Sequence, residues 1–159
     1  MYDGFKPVFD ENSEILILGS FPSVKSREVG FYYGNKQNRF WNVLREIYGE
    51  DFADDTDSKI FFLLSHKIAL WDMVVRCDVK GSMDADIKNE SVADLGDILS
   101  KAKIMAIVFN GKKSFELYRE NYNFDVKTYP LPSTSPANAT FDKAKWTTAF
   151  NEILNYEHI

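Results

Sequence analysis

The chain has 159 residues, is 45% hydrophobic and 15% aromatic, and carries a formal charge of −5. That length fits one domain, and the charge excludes the overall basic field of a nonspecific nucleic-acid coat while leaving room for a local basic cleft. Cys77 is the sole cysteine, which excludes an internal disulfide and a cysteine-rich metal site and fits a reduced, cytoplasmic compartment. The opening MYDGFKPVFDENSE lacks a basic start followed by an apolar run, so no signal peptide is expected. Apolar stretches such as IFFLL and IMAIVF are too short to span a bilayer.

In chain order, EILILGS (14–20) is a short apolar run ending near a glycine and reads as a buried strand. NRFWNVLREIY (38–48) places Phe40, Trp41, Leu44, Ile47 and Tyr48 at helical spacing. DSKIFFLLSHK (57–67) reads as a helix and KIALWDMVV (67–75) as a second strand. ESVADLGDILSKA (90–102) reads as a helix with Ser91 as its N-cap. KIMAIVFN (103–110) is a third buried strand, followed directly by a helix over 111–121. DVKTYP (125–130) is a fourth strand, and residues 140–156 form a closing amphipathic helix. Apolar strands alternating with helices imply a three-layer α/β/α sandwich around a four-stranded parallel sheet, within one domain spanning 1–159.

In such sheets ligands bind outside the carboxyl ends of the strands. The unusual segments fall there: GSFPS (19–23), Trp71-Asp72, Asn110-Gly111 and LPSTSPANA (131–139). Asn110 offers an acceptor beside a donor, which matches a ring lactam such as uracil or hypoxanthine, and it equally suits a helix N-cap. GKKS at 111–114 lacks the upstream glycine of a phosphate loop. Ser133, Thr134 and Ser135 can donate to phosphate oxygens, or the loop can be a proline-stiffened helix entry capped by Asn138 or Thr140. In GFYYGNKQNRFW (30–41), Phe40 and Trp41 fit a helix core, whereas Phe31, Tyr32 and Tyr33 precede it. A loop aromatic beside a cleft can stack on a base, worth roughly 1–3 kcal/mol. Asn38 stands at the expected helix start and could cap it or face the cleft. Lys36 and Arg39 could reach phosphate or line a solvated face. Asp72 could be a catalytic carboxylate or an ion-pair partner. No His, Cys or carboxylate grouping has metal-ligand spacing.

GSFPS, YYGNKQNRFW, ALWDMVVRCDVKGSMDADI, VFNG and LPSTSPANA, in this order, resemble the uracil-DNA glycosylase superfamily, most closely its hypoxanthine-DNA glycosylase branch. The resemblance covers residues 14 to about 150. It implies a four-stranded parallel sheet and removal of a deaminated base from DNA. By resemblance, Asn38 holds the catalytic position, Tyr33 the base-stacking position and Asn110 the base-edge position, with Phe21 beside the base. LPSTSPANA, with Ser133, Thr134 and Ser135, corresponds to the motif that grips the DNA backbone. Arg39 is a further backbone contact, and Ser20, Asp72 and Asn138 are additional candidates.

The chain departs from the family pattern in several places. Most superfamily members carry Asn or Asp where this chain has Phe21, so the usual water-activating residue is missing; the hypoxanthine branch shares that loss. Leu131 replaces a usual His or Asn. Ser23 and Asn35-Lys36 replace the Gly and His-Pro usual in the branch. The implied reaction has Asn38 positioning a water near C1′ of an oxocarbenium-like sugar, with no lysine nucleophile, no lyase step, no metal and no organic cofactor. DNA is the expected partner, no membrane is involved, and a monomer is expected. Competing readings are a mismatch-specific uracil glycosylase, a catalytically silent lesion-DNA-binding module, and a small-molecule α/β enzyme.

Overall fold

The computed structural model describes residues 1–157; His158 and the end of the expected 1–159 domain lie outside the described residues. The chain starts with a short strand, β1 (Tyr2–Asp3), and then the buried run β2 (Ile15–Gly19). Helices α1 (Val24–Val29), α2 (Phe40–Tyr48) and α3 (Thr56–Ser65) follow. Strands β3 (Ile68–Asp72), β4 (Val74–Asp78) and β5 (Lys88–Val92) come next. Helix α4 (Leu95–Lys101), strand β6 (Ala106–Asn110), helix α5 (Lys112–Asn121), strand β7 (Lys127–Leu131) and helix α6 (Lys143–Glu157) complete the order.

Four strands form one parallel sheet in the order β3-β2-β6-β7. Because successive strand residues face opposite sides, β2 serves two cores at once. Ile15 and Ile17 pack with Phe40 and Leu44 of α2, Phe62 and Leu63 of α3, and Trp146 and Phe150 of α6. Leu16 and Leu18 pack with Leu95 and Ile98 of α4 and Leu117 and Tyr118 of α5. The expected three layers are therefore present, and the continuous apolar run follows from burial on both faces. Truncating Ile17 to Ala, at 0% exposure, is expected to cost about 2–5 kcal/mol. The chain leaves β2 toward β3 on one side and later returns to place β6 on the other. The order thus reverses at β2, and the crevice of a doubly wound sheet opens at its carboxyl end.

Several expected boundaries shift. The expected strand 67–75 is two strands: the chain turns at Met73, and β4 leaves the main sheet to join a three-stranded antiparallel sheet with β1 and β5. Ser91 is no helix cap, because it pairs with Arg76 in β5; Asp94 caps α4 instead, accepting from Gly96 N–H. Neither Asn138 nor Thr140 caps α6, which starts later, where Asp142 accepts from Ala144 N–H. Helix α1 is a further element, capped by Ser23 and ended by Gly30.

Candidate active site

A cavity of about 420 Å³ opens at the carboxyl ends of β3, β2 and β6. It is lined by Gly19 to Ser23, Tyr33, Asn38, Asp72, Met83, Asp84, Asn110 and the 133–138 loop, among others. All four segments singled out in the sequence therefore meet at the switch point. Gly19 ends β2 beneath this cavity, and its backbone must stay bare. A Cβ there would lie 2.5 Å from Asp72 Oδ1 and 2.6 Å from the Tyr33 hydroxyl.

Tyr33 adopts φ of 51°, unusual for a residue with a side chain. The turn behind it is tied down by Ser26, whose hydroxyl accepts from Gly34 N–H at 3.0 Å. One face of the Tyr33 ring stacks on Phe40, with centroids 4.1 Å apart and planes at 24°. Tyr33 is only partly buried and lines the cavity, within reach of a flat ligand. Its hydroxyl is buried and finds no partner with hydrogen-bond geometry. Burial first, and then the Asp72 carboxylate, push its pKa up, while the neighbouring Asn110 side chain draws it part of the way back.

Asn38 precedes α2, whose cap position is Arg39. Its Oδ1 nevertheless accepts from Phe40 N–H at 2.9 Å, so capping and cavity lining coincide in one side chain. That bond fixes the amide and leaves Nδ2 and one Oδ1 lone pair for a ligand or water.

Asn110 is held from the opposite wall. Its Nδ2 donates to Thr134 Oγ1 and its Oδ1 accepts from Thr134 N–H, both at 2.9 Å. This closed pair occupies the paired amide edge that the sequence offered to a lactam, and leaves one N–H and one lone pair. Thr134 is 0% exposed. The side chain expected to grip the DNA backbone is thus turned inward: its Oγ1 and N–H meet Asn110, and its carbonyl accepts from Arg39 N–H. Arg39 also turns inward, donating through Nη1 to the carbonyls of Ser135 and Asn138 and lying over the Phe141 ring. Ser133 and Ser135 remain partly exposed, each accepting a backbone N–H within the loop. Asn138 braces that loop by donating to the Ser133 carbonyl.

Phe21 lines the cavity and lies under the Arg27 guanidinium, 5.7 Å from ring centroid to charge. Asp72 ends β3 beside Gly19. It is 5% exposed and has no hydrogen-bonding partner for its carboxylate among the described residues. Burial first, then the Asp84 charge, push its pKa up to about 7. Asp84 escaped sequence reasoning. It sits in the excursion between β4 and β5, exposed at the cavity mouth, with Oδ1 accepting from Ser20 Oγ at 2.5 Å. Partial desolvation raises its pKa, and the Ser20 bond and then Lys113 oppose the rise. A quoted stretch, GSMDADI, contained it, but nothing local marks which of its carboxylates meets the first motif. Among the described residues, no group of three or more His, Cys, Asp or Glu could hold a metal ion, and no helix is long and apolar enough to cross a membrane.

The family model for the Uracil DNA glycosylase superfamily matches residues 6–156. A protein named Hypoxanthine DNA glycosylase from Methanosarcina acetivorans is 38% identical over 152 residues, covering 92% of this chain and 96% of its own length. One of the same name from Methanosarcina barkeri is 37% identical over the same coverage. The solution NMR structure of a Methanosarcina acetivorans protein, provisionally assigned as a uracil DNA glycosylase, superposes with a TM-score of 0.80 at 36% identity. It covers 94% of this chain and 96% of that one.

Proposed function

Because the chain belongs to the Uracil DNA glycosylase superfamily, we propose that it hydrolyses the N-glycosidic bond of a deaminated base in DNA, hypoxanthine foremost, acting as one domain over 1–159. The observation that carries this reading is Tyr33, held at positive φ, stacked on Phe40 and lining a polar crevice. A flipped base slides onto that ring, at a flipping cost of a few kcal/mol that is least at a mismatch.

The Asn110–Thr134 lock supports discrimination. With Oδ1 held by a backbone N–H, the amide cannot exchange its ends, and the free N–H is a donor. A lactam carbonyl accepts that donor. The amino group of adenine or cytosine in the same place would meet it donor to donor. Hydrogen bonding there also takes up the negative charge that grows on the base as the bond stretches.

Asn38 positions the water that captures the sugar cation; an amide takes no proton, so its contribution is placement. No lysine lines the cavity, which supports release of the base without strand scission. The phosphate backbone runs along Ser133, Ser135 and the adjoining groove bordered by Lys112 and Lys113, and affinity should fall with added salt. We take the enzyme to act as a cytoplasmic monomer.

Base release from oligonucleotides carrying one deoxyinosine or one deoxyuridine, opposite each normal base, tests the reading. Wild type is expected to release hypoxanthine, and Asn38→Ala to lose at least about 100-fold in rate at unchanged DNA affinity. Binding of lesion DNA with no release from any substrate would instead indicate a silent binding module.

A further inference from the structure

The family position that supplies a water-activating side chain is Phe21 here, which can neither accept a proton nor orient a water. The cavity lining holds four ionisable side chains: Tyr32, Tyr33, Asp72 and Asp84. The two phenols keep their protons, since burial pushes both pKa values up. Asp72 is buried, at 5% exposure, and burial favours its protonated form, which accepts no proton. Asp84 lines the cavity yet is exposed, so water and an incoming nucleotide can reach it.

The excursion carrying Asp84 is tied to the segment that has lost its own carboxylate. Ser20 Oγ donates to Asp84 Oδ1, Val24 N–H donates to Ser82 Oγ at 2.9 Å, and Arg27 Nη2 donates to the Gly81 carbonyl at 2.7 Å. All three donors belong to residues 20–27. The Ser20 bond uses one carboxylate oxygen and leaves the other free. Asn38, which lines the same cavity, has one Oδ1 lone pair committed to Phe40 N–H and offers its Nδ2. A water between the two would accept from Asn38 and donate to Asp84. The Tyr33 hydroxyl, buried without a partner, and the buried Asp72 carboxyl in the same cavity mark it as built for a polar guest.

We propose that Asp84 is the catalytic carboxylate of this enzyme, taking the water proton from a loop outside the first motif, with Ser20 as its positioning residue. The inference rests on the glycosylase reading. In the step, the water oxygen bonds to C1′, and the C1′–N bond breaks with its electron pair passing to the base. One water proton moves to the free Asp84 oxygen and on to solvent, and the base anion takes a proton from solvent.

Single-turnover release of hypoxanthine, followed upward from about pH 4, tests this. Wild-type rates should rise through the Asp84 ionisation. The charged and titratable groups facing it are Asp72, Tyr33 and Lys113, with Ser20 as the hydrogen-bond donor. Asp84→Asn should lose the acid limb and about 100-fold or more in plateau rate, while binding a non-hydrolysable deoxyinosine duplex no more weakly. Ser20→Ala removes a bond that favours the ionised form, so the acid limb should move to higher pH while the plateau changes only about threefold.

An Asp84→Asn enzyme that keeps the wild-type rate and limb overturns the inference and leaves the glycosylase reading intact. Parallel loss of rate and DNA binding also overturns it, since that marks a structural role. Should Asp84→Asn not fold, an unshifted limb in Ser20→Ala overturns it. No release by wild type overturns the glycosylase reading and this inference with it.

Discussion

The two walls of the cavity are built on opposite plans. On the β6 side, Asn110, Thr134 and Arg39 satisfy one another and the 133–138 loop through side-chain and backbone bonds. On the β3 side, the Tyr33 hydroxyl is buried without a partner and the Asp72 carboxyl is buried too, both beside a bare Gly19. A buried polar group left unmade costs about 1–3 kcal/mol, so the second wall is unstable relative to what the fold could afford there. The closed wall fixes donor direction and therefore reads a base. The open wall keeps hydrogen-bonding capacity that only a guest can fill, and its cost is borne by the native state.

The largest expected effect comes from relieving the open wall. Asp72 has a folded pKa of about 7, raised from 3.8. A raised carboxyl pKa means the folded state prefers the proton. Its stability contribution is therefore intact below about pH 4 and is lost as pH rises toward 7. At about 1.4 kcal/mol per pKa unit, the loss amounts to roughly 4 kcal/mol. Asp72→Asn cannot ionise, so it should match wild type near pH 4 and exceed it in urea unfolding by up to that amount near pH 8. Equal curves at both pH values would mean that Asp72 is as well solvated as an ordinary carboxylate, and the contrast between the walls would collapse.

Opening the closed wall should cost less in stability but more in selectivity. Thr134→Val keeps the backbone donor and shape but deletes Oγ1, leaving an Asn110 Nδ2 hydrogen unpaired in a buried site. We expect a loss of about 1–3 kcal/mol in unfolding free energy. The backbone N–H still holds Oδ1, but with one of its two tethers gone the amide's direction is fixed less tightly. The ratio of deoxyinosine to deoxyadenosine cleavage should therefore fall, read from release rates on matched oligonucleotides. An unchanged ratio would show that the lock serves the loop and not the base.

The difference between the walls also separates what the sequence revealed from what it hid. The parallel sheet was legible because burial on both faces leaves unbroken apolar runs such as ILIL and AIVF. Asn38, Tyr33 and Asn110 were legible because loops at strand ends gather at a crevice. The run 67–75 hid a change of sheet, since Val74 and Val75 at the start of β4 continue the apolar run of β3 and the break rests on long-range bonds: Met73 N–H to the Gly19 carbonyl, and Ala93 N–H to the Met73 carbonyl. Ser91 looked like a cap because Ser and Asp94 stand three apart, yet cross-strand pairing claimed it. Thr134 read as a surface hydroxyl because a loop residue is ordinarily wet; only the partner demand of Asn110 buries it. Asp84 lies 64 residues from Ser20, and no local pattern encodes a bond that long.

The smallest expected effect concerns the rims above the two walls. Pro136 and Ala137 crown the closed side, and Met83, 55% exposed, crowns the open side next to Asp84. A flexible apolar side chain there can enter the gap a flipped nucleotide leaves, as wedges of this kind do in bent or unstacked duplexes. Pro and Ala are too short to fill a base-sized space. Met83 is the rim side chain long enough to be tested for that role. Met83→Ala should slow release from a paired duplex about fivefold, the equivalent of roughly 1 kcal/mol, and leave release from single-stranded DNA unchanged, because no stack is vacated there. Equal slowing on both substrates would place Met83 in support of the Asp84 loop, and the flipped state would then be held by stacking on Tyr33 and by the closed wall alone.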